Sequence, residues 1–86
     1  MRELNEMTAV ELVNNMNEVQ LFLDDIPHSR LHRTQLQLVQ DELDARCELA
    51  GIKTNLDGTF YIPEFTGTAD EMKERAALIN YFTHKQ

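Results

Sequence analysis

Eighty-six residues make one small domain, which buries only about 60–65% of the surface its unfolded chain exposes. Hydrophobic residues make up 42% of it, which sets it apart from disordered chains. Fifteen acidic against eight basic residues give a net charge of −7, which repels phosphate backbones and acidic lipid. General nucleic-acid or membrane-surface binding is therefore disfavoured, and basic partners are favoured. The single cysteine, Cys47, has no intramolecular disulfide partner and lies on an apolar stripe, where it reads as a small buried hydrophobe. With no signal-peptide pattern and no long apolar run, a cytoplasmic location is expected.

Met1 to Glu6 are polar and are expected to fray. Thr8 and Glu11 have capping-box spacing, with Met7 and Leu12 placed as a hydrophobic staple, so a first helix is predicted over 9–24. Its apolar face is Leu12, Val13, Met16, Val19 and Leu23, with Phe22 at the margin.

Pro27 separates this helix from a central one, predicted over 28–50, with Ser29 as cap and Gly51 as the left-handed stop. Ile52 is expected to fold back on Cys47. One stripe of the central helix is Leu36, Val39, Leu43, Cys47 and Ala50. A second, Leu31, Leu38, Ala45 and Leu49, lies roughly a third of a turn away and asks for a second neighbour.

The charges of this helix run against its dipole: Arg30, His32 and Arg33 open it, while Asp41, Glu42, Asp44 and Glu48 fill its second half. A solvated helix tolerates that arrangement. Alternatively, the ends face complementary charge: Asp24 and Asp25 of the first helix beside Arg30 and Arg33, or a second copy packed antiparallel.

After Gly51 the period changes. Residues 52–56 and 59–62 flank Asp57-Gly58, which predicts a β-hairpin over 52–62 with a two-residue type I′ turn. Ile52 and Leu56 would share one face, as would Phe60 and Ile62, and Pro63 ends the pairing. Thr68 and Glu71 repeat the capping box, and a last helix is predicted over 69–83 with Ala69, Met72, Ala76, Ile79 and Phe82 on one face, widened by Leu78 and Tyr81. The fold expected is helix-dominated α+β: a helical hairpin, a short β-hairpin, and a C-terminal helix closing one small core.

Candidate chemistry is sparse. The run 53–64 resembles an EF-hand calcium loop, with Asn55, Asp57, Gly58 and Glu64 at its third, fifth, sixth and twelfth positions, but Lys53 stands at the first ligand position. His28 and His32 have the four-residue spacing of a helical metal pair, though surface histidines are the simpler reading. No nucleophile elbow or phosphate-binding glycine loop is present, so no catalytic residue, cofactor or metal is assigned. The run 36–62, a helix followed by strand, Asp57-Gly58 and strand, resembles the recognition helix and wing of winged-helix regulators. That resemblance implies a DNA-binding transcriptional regulator, with Arg30, Arg33, Arg46 and Lys53 as contacts. The departure is the acidic residues on the would-be recognition helix.

The function expected instead is that of a small acidic protein-interaction module, dimeric, of the kind phage-encoded inhibitors and accessory factors represent by composition. Its candidate partner-binding residues are Arg30, Leu31, Arg33, Leu38, Asp41, Glu42, Asp44, Glu48 and Leu49. If the target binds nucleic acid, the acidic row Asp41, Glu42, Asp44 and Glu48 would occupy its basic groove.

Overall fold

A computed structural model describes residues 3–84. In chain order these form a 3₁₀ turn Leu4–Glu6, helix α1 Ala9–Asp25, helix α2 Arg30–Leu49, strands β1 Lys53–Thr54 and β2 Phe60–Tyr61, and helix α3 Ala69–His84. The architecture is the helix-dominated α+β arrangement expected. Each helix packs on the other two, and the 3₁₀ turn lies on α2. The Cα extents are 40 × 32 × 16 Å, so the helices form a thin slab.

Local chemistry fixes the element ends. Thr8 Oγ1 accepts from Glu11 N–H at 3.1 Å, and Glu11 Oε1 accepts from Thr8 N–H at 3.0 Å, closing the capping box of α1. Thr68 and Glu71 do the same for α3, at 3.1 and 3.2 Å. Ser29 caps α2 through His32 N–H, so α2 begins at Arg30 and not at His28. At its other end Gly51 takes φ +79°, and the N–H groups of Gly51 and Ile52 reach back to Glu48 and Cys47 carbonyls. This is a Schellman stop. It turns Ile52 into the same core cluster as Cys47, as expected.

The core gathers Ala9 and Leu12 of α1, Val39, Leu43 and Cys47 of α2, Ile52, and Leu78 and Tyr81 of α3. The first stripe of α2 is thus the buried one. Val19 and Leu23 are buried nearer the α1–α2 turn, where the Phe22 ring stacks on His32 with centroids 3.8 Å apart.

Several expectations fail for physical reasons. Among residues 3–6, Leu4 does not fray: it packs on the core, and Arg46 Nη2 donates to its carbonyl at 3.0 Å. Met1 and Arg2 lie outside the described residues. The core face of α3 is shifted from the one predicted: Leu78 and Tyr81, expected to widen it, are buried and Ile79 and Phe82 pack on the core, but Ala69, Met72 and Ala76 are exposed. Polar residues drive that shift. Glu74 accepts from Ala9 N–H at 2.7 Å at the free start of α1, and Arg75 Nη2 donates to Pro63 and Ala50 carbonyls at 2.9 and 3.4 Å.

The hairpin pairs Lys53 with Tyr61 and Thr54 with Phe60, two residues per strand instead of four or five. Its turn is not type I′, which needs positive φ at both central residues; only Gly58 has it, at +88°. Asp57 holds a negative φ because its Oδ1 accepts from both N–H and Oγ1–H of Thr59, at 3.0 and 2.6 Å. Gly58 N–H donates to Asn55 carbonyl and Asn55 N–H to Thr59 carbonyl, giving a three-residue loop over 56–58. Leu56 therefore stands at the tip, fully exposed, and shares no face with buried Ile52. Phe60 meets Phe82 edge-on at 5.6 Å, which lays the hairpin on α3.

Replacing Glu74 by Ala leaves two α1 N–H groups without that acceptor and should lower unfolding free energy by about 1–2 kcal/mol. Urea unfolding of the two proteins measures the difference, and Glu74→Gln should fall between them.

Candidate functional site

The second stripe of α2 faces away from the core. Leu31, Leu38 and Leu49 are 75%, 53% and 89% exposed, and Ala45 between them is exposed as well. An exposed leucine is ordinary on its own, but four apolar residues in register along about 27 Å of one rigid helix are a patch. Near its start the patch deepens into a groove of about 550 Å³ between α2 and the 3₁₀ turn, lined by Leu4, Leu31, Thr34, Gln35, Leu38 and Val39, with Glu3 at its rim. The groove exists because Leu4 packs on the core, which an expectation of fraying concealed.

Charged residues flank the patch on the side away from this groove. At 100° per residue Arg30, Asp41 and Glu48 fall within about a quarter turn of Leu38, with Arg33 and Asp44 further round. Arg30, Arg33, Asp41 and Glu48 are all exposed. Asp24 and Asp25 do not reach the two arginines. Arg33 Nε donates instead to Pro27 carbonyl at 2.8 Å, and Asp24 accepts from Gln20 at 3.2 Å. Among the described residues neither arginine forms an ion pair.

The acidic quartet is divided. Glu42 bonds Arg46 at 3.1 Å, on the opposite side of the patch, and Asp44 accepts the hydroxyl hydrogen of Tyr81 at 2.7 Å. Asp41 takes a side-chain bond from Gln37 at 2.8 Å and is exposed on the same flank as Glu48, two turns away. Two of the four acids thus serve the chain's own packing, and two remain outward.

Elsewhere the described residues offer little chemistry. A cleft of about 430 Å³ between the helices is lined by Val13, Met16, Asn17, Gln20, Gln40 and Asn80, with Tyr81 and His84 at its edge. Both titratable groups are engaged, Tyr81 with Asp44 and His84 Nδ1 against Asn80 carbonyl at 2.8 Å. His32 Nδ1 lies 2.6 Å from Ser29 Oγ with its ring on Phe22, and among the described residues no three His, Cys, Asp or Glu side chains gather into a metal-holding group. Asn55 and Asp57, two positions of the calcium-loop resemblance, both spend their side chains on Thr59. Cys47 is buried, with its Sγ 3.6 Å from Leu78 carbonyl. Among the described residues no helix is long and apolar enough to cross a membrane.

Comparison with protein families, with curated proteins and with solved structures finds no match.

Burial, then the hydrogen bond to Asp44 and its negative charge, push the Tyr81 phenol above its ordinary range. A raised phenol pKa means that the folded state holds the proton more tightly. The resulting stability is complete below about pH 10 and is lost as pH rises through the folded value. Tyr81→Phe should therefore cost about 1–2 kcal/mol at neutral pH, a difference that shrinks at strongly alkaline pH. Denaturant unfolding of both proteins across that range checks it.

Proposed function

We propose that this chain is a small acidic protein-binding module that works by occupying a surface, and that its docking face is the outward side of α2. One observation carries the reading: Leu31, Leu38, Ala45 and Leu49 form an exposed apolar line on a rigid helix, flanked by Arg30, Asp41 and Glu48. An apolar centre with a charged rim is how specific protein interfaces are built. The leucines supply desolvation, and the rim charges set orientation and encounter rate. Helix-mounted side chains need little ordering on binding, which favours affinity. As an inhibitor or accessory factor it would act by covering part of a partner's surface.

The winged-helix resemblance is the weaker reading. A phosphate-binding helix needs basic side chains along its exposed side, and α2 presents Asp41 and Glu48 there. The row that would imitate nucleic acid is also short, since Glu42 and Asp44 are held by Arg46 and Tyr81.

Combining Leu31→Asp, Leu38→Asp and Leu49→Asp should leave the circular-dichroism spectrum intact, because all three side chains are exposed. It should reduce capture of protein from a cell extract by about tenfold or more. Capture that survives all three changes would remove the α2 face as the docking site. A gel shift with random duplex DNA at low salt should show no complex, and clear binding there would restore the regulator reading.

A further inference from the structure

Resting on the docking-face reading, we propose that the occupant of the α2 face is a second copy of this chain, packed antiparallel about a two-fold axis near Val39–Gln40. Three features of the face carry the assignment, and each concerns its symmetry under that rotation.

The charges come first. Arg30 and Arg33 lie in the first turn of α2, Asp41 and Glu48 in its second half, and all four are on one side of the apolar line. In an antiparallel pair of helices related by a two-fold, the same flank of each helix meets its own counterpart, run in the opposite direction. Arg30 of one copy then lies beside Glu48 of the other, and the contact occurs twice, while Asp41 faces its own counterpart near the axis and Arg33 lies further round. A parallel pair would set basic end against basic end.

The second feature is a matched knob and hole. Leu49 protrudes at the end of the line, 89% exposed, while the groove beside Leu4, Leu31 and Leu38 lies near its start. Rotation about a centre near residue 40 exchanges positions 31 and 49. Each Leu49 is thereby delivered to the groove of the other copy, with Ala45 above Gln35 giving the close approach a small side chain allows.

The third is the opposite flank. Glu42 and Arg46 are already paired to each other at 3.1 Å, so on the groove side α2 itself brings no unmatched charge into the contact, and Glu3 at the rim is the one further charge described there. The net charge of −7 per copy opposes association, but at about 0.1 M salt the Debye length is about 10 Å, so distant charges are screened more than adjacent pairs. A helix pair about 30 Å long falls near the lower size for a specific interface, about 1,000 Å², so the dimer should dissociate on dilution.

Sedimentation equilibrium of the purified chain at physiological salt, from low micromolar to millimolar concentration, should fit a monomer–dimer equilibrium. Arg30→Glu should weaken it about tenfold or more, as should Glu48→Arg. The double swap, Arg30→Glu with Glu48→Arg, restores complementarity with the signs exchanged and should recover dimerisation. Leu38→Cys should cross-link to itself through a short bis-maleimide. Leu49→Cys should not, because the two copies of that residue lie about 27 Å apart along the pair. A monomer at every concentration, no recovery in the double swap, or self-cross-linking at Leu49 would each overturn the proposal. If the purified chain stays monomeric while extract capture still depends on Leu31, Leu38 and Leu49, the face belongs to a different protein. Loss of both results removes the docking face itself.

Discussion

A carboxylate of α3 holds the three helices to one another. Glu74 receives Ala9 N–H at 2.7 Å and faces Val10 N–H at 3.5 Å, at the end of α1 where four N–H groups lack intrahelical partners. A negative group there also meets the positive end of the helix dipole. Arg46 of α2 stands 4.0 Å from the same carboxylate, bonds Glu42 on its own helix and donates to Leu4 carbonyl. One acid and one base thus join α1, α2, α3 and the 3₁₀ turn around a site that is only part-buried. A core this small cannot set helix rotation by leucine packing alone. The polar contacts do much of it, and α3 turns Glu74 and Arg75 inward while Met72 and Ala76 go to solvent.

The thinness of the slab follows. With 86 residues there is material for one layer of contacts, and α2 is enclosed on the side of Val39, Leu43 and Cys47 alone. Among the described residues its second stripe is covered only in part, where Leu4 borders Leu31 and Leu38. The Leu31–Leu49 line is therefore a consequence of the fold's economy of elements, as well as its most distinct surface.

Much of this was legible in the chain because it depended on local chemistry. Thr8–Glu11 and Thr68–Glu71 announce helix starts, Gly51 a stop and Pro27 a break, since each acts within four residues. The two stripes of α2 followed from the helical period alone. What sequence did not show was decided by distant groups. The rotation of α3 depends on Glu74 finding Ala9 across 65 positions, and no periodicity encodes such a contact. The turn type at Asp57-Gly58 was misjudged because the dipeptide favours type I′, whereas Thr59 supplies two donors that keep Asp57 at negative φ. The groove beside Leu4 was invisible for a related reason: a short polar segment looks frayed until Arg46 is seen to hold its carbonyl. The acidic quartet looked like one row because spacing ignores which side chains the rest of the fold recruits, and Tyr81 and Arg46 recruit two.

The orientation of charge along α2 bears on the choice of partner. Its first turn contains no acid, and Ser29 alone caps it, so Arg30 and Arg33 sit unfavourably at the positive end of their own dipole. Glu48 is likewise misplaced at the negative end. An antiparallel neighbour of the same sequence reverses both relations. The arginines then lie beside the partner's negative terminus and Glu48 beside its positive one, so charges wrongly placed for their own helix are rightly placed for the other. A heterologous partner would have to supply that complementarity independently. A second copy provides it by rotation, which is why the sign pattern that weakens α2 by itself points to its own kind as the occupant.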